Sequence, residues 1–160
     1  MTADIIIEDP RWNEIGLDRL ATEASRATLT HQGLEPQDWD ISILACDDAR
    51  IATLNAEFRE KPGPTNVLSW PSAERGANPG ERPDPPTGDP ELGDIAIAYD
   101  TCMAEATDGN KPPEHHVTHL IVHGVLHLLG YDHANDADAD LMEGAEIAIL
   151  EVLGVPNPYV

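Results

Sequence analysis

"HLIVHGVLHLLGYDH", residues 119–133, carries four of the seven histidines in this 160-residue chain. His119, His123 and His127 fall four residues apart, so on a helix their rings project from one face about a turn from each other. Gly130 can adopt the left-handed conformation that ends a helix and swings the chain back, which would bring His133 toward the same place. Pro112 and Pro113 suit a helix start, and the spacing predicts a helix over Glu114–Leu129. A second helix is expected from about Asp138 to Leu153. Asp136, Asp138 and Asp140 lie at its positive end, and Gly154 and Pro156 stop it.

Upstream, short β-branched runs alternate with helical periods. "ADIIIED" (3–9), "WDISILACDD" (39–48), "TNVLSWP" (65–71) and "LGDIAIAYD" (92–100) read as strands. Leu17, Leu20, Ala24 and Ala27 set a helical period over 17–33, and Ile51, Leu54 and Phe58 set another that Asp47 or Asp48 can cap. The order β-α-β-α-β-β-α-α predicts a single α/β domain over residues 1–160. Its small, mixed, about four-stranded sheet is packed with helices, and the metal site lies on a C-terminal helix-turn with a zincin-like histidine motif. Residues 72–91 are dense in Pro and Gly and have no hydrophobic period, so they are expected to form a mobile, inert surface loop.

His123, His127, Gly130 and His133 reproduce the spacing H-x-x-x-H-x-x-G-x-x-H of zinc peptidases. Three neutral nitrogens leave a fourth tetrahedral position open, the pattern of a catalytic zinc site, with one Zn2+ per chain. The peptidases carry a glutamate after the first histidine, whereas this chain has Gly124. Glu143 and Glu146 lie on the following helix, but no spacing argument places them at the metal. A phosphodiester suits such a site, because its cleavage asks mainly for charge neutralisation and positioning. Gly124 would leave room for the substrate beside the ion. Arg59, at a helix end with Lys61 close by, presents a planar fork matched to phosphate. His119 can serve as an outer group, a substrate contact or packing, and Asp132 can orient a ligand or stabilise its turn. His31, His115 and His116 read as ordinary.

Apolar residues make up 41% of the chain and charged residues 24%, ordinary for a globular protein. Nine Lys and Arg against thirty Asp and Glu give a formal charge of −21. That excess disfavours broad nucleic-acid contact, although a few basic groups can dominate one cleft. Cys46 and Cys102 form no metal or redox motif. With no signal-peptide pattern and no apolar run near the ~20 residues a bilayer needs, the reading is cytoplasmic, with no membrane partner.

Together these segments resemble the YbeY family of bacterial endoribonucleases, also called rRNA maturation factors. "HLIVHGVLHLLGYDH" is similar to the family's signature, including the glycine after the first histidine. "LNAEFREK...TNVLSWP" (54–71), "LGDIAIA" (92–98) and "PNPY" (156–159) match further blocks in order. The resemblance implies a zinc-dependent, single-strand-selective ribonuclease acting in small-subunit rRNA 3′-end maturation and in ribosome quality control. Its partners would be single-stranded RNA, rRNA and the small subunit, and not DNA. It implies His123, His127 and His133 as zinc ligands, and catalysis by Arg59, His123 and His127. Substrate binding would fall to Arg59, Lys61 and His119. Asn66 stands where the family usually has aspartate, and Trp70 where it has phenylalanine. The competing readings are a peptidase, which Gly124 opposes, and a non-catalytic ribosome-assembly factor whose metal is structural.

Overall fold

The alternation of β-branched residues builds a four-stranded sheet in the order β1-β2-β4-β3. The computed structural model describes residues 3–59, 63–73, 75 and 79–159, with the backbone alone at Arg59. The elements run β1 (Ala3–Ile7), α1 (Leu17–His31), β2 (Asp40–Cys46), α2 (Asp48–Arg59), β3 (Val67–Pro71), β4 (Glu91–Ala98), α3 (Tyr99–Asp108), α4 (Pro113–Leu128) and α5 (Asp136–Val152). Strand β2 pairs in parallel with β1 and β4, and β3 pairs antiparallel with β4. The expected mixed α/β sheet is therefore present.

Period-two burial divides the interior between the two faces of the sheet. Ile41, Ile43, Ala45, Ile95 and Ile97 join the main core with residues of α1, α4 and α5. Cys46, Ala96 and Ala98 belong to a smaller cluster with Ile51 of α2. Helix α4 packs against α1, α3, α5, β3 and β4. Its Val117, Ile121, Val122, Val125, Leu126 and Leu128 are fully buried, so the helix that carries the histidines is held rigidly by the core.

Helix α3 is the element that the sequence reading lacked. It follows β4 without a turn, and its N-cap residue Ala98 makes no side-chain cap hydrogen bond. The cap comes from Asp48, whose carboxylate accepts from the Thr101 amide (3.0 Å) and hydroxyl (2.8 Å). Asp47 meanwhile accepts from the Arg50 amide at 2.8 Å and so caps α2. The two neighbouring aspartates thus serve different helices.

The connection from β3 to β4 contains no helix or strand among its described residues. Polar anchors tie its described residues to the fold without any hydrophobic period. Arg75 Nη1 donates to the main-chain carbonyls of Leu92 (3.1 Å) and Leu128 (2.9 Å), and its Nη2 donates to Ser72 Oγ (3.1 Å). The Gly80 amide donates to Asp138 at 2.9 Å. Hydrogen bonds from a charged group contribute about 1.5–3 kcal/mol, and in a domain of this size each kcal/mol moves Tm by roughly 2–4 °C. Replacing residues 73–90 with a short Gly/Ser linker should keep the sheet but lower Tm by roughly 4–10 °C, and Arg75→Ala should reproduce most of that loss. An Arg75→Ala protein that melts with the wild type would return the loop to an inert insertion.

Candidate metal centre

Helix α4 turns its apolar side to the core and carries His119, His123 and His127 along a half-buried side. The helix ends as the glycine predicts. Gly130 has φ 106°, and the Tyr131 amide reaches back to the Leu126 carbonyl at 3.0 Å. The turn places the His133 ring 5.6 Å from that of His123 and 5.2 Å from that of His127. One ring nitrogen from each of His123, His127 and His133 lies within 4.8 Å of the other two. His123 Nε2 and His127 Nε2 are 3.0 Å apart. Two nitrogens at zinc-ligand distance on a tetrahedral ion would be separated by about 3.3 Å. The donor set therefore fits a metal ion, and among the described residues this cluster offers three ligands and no fourth.

Protonation suits the same purpose. Burial, then the neighbouring His123 and His133, pull the pKa of His127 down to about 4, so its ring is neutral at physiological pH and has no proton to lose on binding metal.

Behind the cluster stands a carboxylate that no spacing rule had placed there. Glu146 of α5 is only 1% exposed. Its Oε2 is 3.1 Å from His123 Nδ1, its Oε1 is 2.5 Å from His119 Nε2, and the Tyr159 hydroxyl donates to Oε1 at 2.7 Å. Burial pushes the Glu146 pKa up, but the hydrogen bonds from His119, His123 and Tyr159 outweigh it and hold the pKa down at about 2. Glu146 is thus an anion behind the histidines and does not line the cleft in front of them.

That cleft, about 560 Å³, lies between β3 and the C-terminal end of α4. Asp132 is the one carboxylate among its described lining residues and Arg75 the one Lys or Arg. Asp132 accepts from the His133 amide at 2.8 Å, which is a turn-stabilising contact. Gly124 also lines the cleft. Its bare side is less open than the sequence reading assumed, because a Cβ built there would meet Ile95 Cδ1 at 3.1 Å. Close packing of helix on sheet, as well as access to the cleft, asks for glycine.

Asn66 resolves one departure in the sequence. Its Nδ2 donates to both Glu105 oxygens (3.0 and 3.3 Å), and its Oδ1 accepts from the Val67 amide at 2.6 Å. Glu105 Oε1 is also 2.9 Å from His116 Nε2. An aspartate at 66 would face the Glu105 carboxylate, whereas asparagine supplies the donor this chain needs there. His116, read as ordinary, is a partner in this network.

His119 is turned toward Glu146 and Tyr159, and it is absent from the described lining of the metal cleft. Arg59 ends α2, but its side chain and all of Lys61 lie outside the described residues.

Residues 6–154 match the family described as Endoribonuclease YbeY. The chain belongs to that family. Among curated relatives, the "Endoribonuclease YbeY" of Ruegeria sp. (strain TM1040) is 56% identical over 165 residues, covering 100% of this chain and 97% of the relative. That of Jannaschia sp. (strain CCS1) is 58% identical over 160 residues, covering 99% and 100%. The solution structure of TM1509 from Thermotoga maritima superposes with a TM-score of 0.62 at 22% identity, over 93% of this chain and 87% of that one, a likeness of fold. The YbeY family match begins within β1 and runs through α5, so the histidine helix and its turn lie inside it together with the sheet that supports them.

Proposed function

We propose that this chain is a zinc-dependent, single-strand-selective endoribonuclease that matures small-subunit rRNA at its 3′ end and takes part in ribosome quality control. As a YbeY family member it is an RNA-cleaving hydrolase. The observation that carries the metal-dependent part is the convergence of His123, His127 and His133, with no fourth ligand among the described residues. A bound zinc ion would supply Lewis acidity, lowering the pKa of a water toward ~7 and neutralising phosphate charge.

The residues of the chain account for the rest. Histidine ligands bring no negative charge of their own to such an ion, so the ligand set leaves it a cation, which favours an anionic substrate in a protein of formal charge −21. A cleft of about 560 Å³ beside the histidines has room for a nucleotide-sized segment of an extended strand. Arg59 is assigned to clamp a phosphate, with Lys61 beside it, and catalysis is assigned to Arg59, His123 and His127. Residues 1–160 act as one domain in the cytoplasm, and no helix among the described residues is long and apolar enough to cross a membrane. The alternative, an assembly factor stapled by a structural metal, would be favoured by a fourth protein ligand. The deciding experiment measures zinc content and cleavage of single-stranded against double-stranded RNA, before chelation, after it and after zinc is restored. Cleavage that survives chelation would sink the metal-dependent reading.

Arg59→Lys separates fork from charge. An ammonium cannot reproduce two parallel hydrogen bonds to phosphate, so kcat/KM should fall roughly 10- to 100-fold. Zinc content and Tm should not change. Wild-type cleavage by the lysine variant would reduce Arg59 to a helix-end charge.

A further inference from the structure

We propose that Glu146 and Tyr159 form a positioning unit for the metal centre, through which the last residues of the chain hold the ligand His123 in register. The proposal rests on the reading that the three histidines bind metal, and it concerns groups behind them.

The geometry sets the direction of each hydrogen bond. Glu146 is only 1% exposed, and its carboxyl oxygens face two histidine ring nitrogens and a tyrosine hydroxyl, all groups that can donate to them. His123 Nδ1, 3.1 Å away, must therefore carry the ring proton. That fixes the tautomer in which His123 Nε2, the nitrogen beside His127 Nε2, presents its lone pair to a metal. A ring free of this bond could rotate or carry its proton on Nε2, and either would spoil the ligand set.

Glu146 is itself held in place. Its other oxygen receives the Tyr159 hydroxyl at 2.7 Å and lies 2.5 Å from His119 Nε2. Tyr159 also packs edge-on against His119, with ring centroids 5.6 Å apart. The tail that carries it is tethered by Lys111 Nζ, which donates to the Pro158 carbonyl at 3.3 Å. Tyr159, 46% exposed, thus delivers one donor to the buried carboxylate that orients His123. Removing that donor leaves Glu146 freer to turn away from His123. Converting Glu146 to glutamine sets an amide N–H against groups that are themselves donors.

The test uses the full-length protein and Zn2+ alone. Tyr159→Phe, Glu146→Gln and the double variant are compared by zinc Kd in competition with a chelator, and by the 15N shifts of the His123 ring without metal. Groups behind metal ligands typically set affinity within 10- to 100-fold. Tyr159→Phe should weaken zinc about 10-fold and Glu146→Gln about 100-fold, and the double variant should be no weaker than Glu146→Gln. The metal-free His123 ring should shift from the Nδ1–H tautomer toward a mixture, a change that mere packing would not cause. Wild-type zinc affinity and tautomer in Tyr159→Phe, a mild change on an exposed tail, would overturn the proposal even if Glu146→Gln fails to fold. Additive losses in the double variant would also overturn it, because they would mean the two residues act separately. His127→Ala serves as the control: if it still binds zinc like the wild type, the ligand assignment has failed, a different result from either.

Discussion

His127→Ala is expected to purify without zinc, to cleave single-stranded RNA at least about 100-fold more slowly, and to gain nothing from added metal. The loss should be this large because the ring nitrogen sits 3.0 Å from that of His123, at the centre of a three-ligand set with no spare among the described residues. Metal bound only by the folded state adds about 2.7 kcal/mol at a hundred times its Kd. The wild type should therefore melt roughly 5–10 °C above the variant when zinc is present. Without metal the order depends on pH. The pKa of His127, ordinarily near 6.5, is held at about 4 in the fold. A group whose folded pKa is lowered favours folding above its unfolded pKa and loses that stability as pH falls, since the unfolded chain takes the proton first. Metal-free wild type should thus lose stability between pH 6.5 and 4, and the alanine variant should lose less over the same range. Thermal melts with and without chelator at several pH values check both parts. Equal melting of metal-free and zinc-loaded wild type would count against the site.

Gly124→Glu should not make a better enzyme, although it restores the glutamate of the zinc peptidases. Its Cβ must enter a space where Ile95 Cδ1 already lies at 3.1 Å. Such overpacking costs about 1–3 kcal/mol. The carboxylate would then stand among the histidines, where a phosphodiester brings its own negative charge. That repulsion is on the order of one to several kcal/mol. Zinc content should persist, because the three ligands remain. RNA cleavage should fall roughly 10- to 1,000-fold, with little peptidase activity gained. Gly124→Ala isolates the packing effect. Its Cβ meets Ile95 at Cδ1 (3.1 Å) and at Cγ1 and Cγ2 (3.5 Å), and the gain in helix propensity offsets only part of that packing cost, so it should melt within about 2 kcal/mol of the wild type and cleave at a similar rate. Faster RNA cleavage by the glutamate variant would show that the missing carboxylate was a deficiency.

Local patterns were the legible part of this protein. The four strands, the helix of "HLIVHGVLHLLGYDH", its glycine stop and the arrival of His133 could be read because each depends on neighbours within a few residues. Features that depend on distant chain were not legible. Helix α3 is capped by Asp48, more than fifty residues upstream of Thr101. Glu146 reaches His123 from another helix, Tyr159 reaches Glu146 from the tail, and Arg75 holds the end of α4 from the loop. The clue to Glu146 lay in its spacing from Met142, Ile149 and Leu150, which puts a carboxylate on the inner, apolar side of α5. A charge there needs a partner, and histidines on the preceding helix were the available ones.

The strand order has a consequence for the time course of folding. Strand β4 forms the pairings with both β2 and β3, so of the three strand pairings only β1–β2 can close before residues 91–98 are available. During synthesis β3 therefore emerges with no strand to pair with, and it stays exposed until the proline-rich connection and β4 have followed it. Prolines hold that connection out of β structure, so it cannot offer β3 a false partner in the interval. The histidine helix is made later still. The ligands of the metal centre thus reach a sheet whose last strand has already been synthesised, and a metal ion captured there would lock a fold whose slower, non-local pairings are in place.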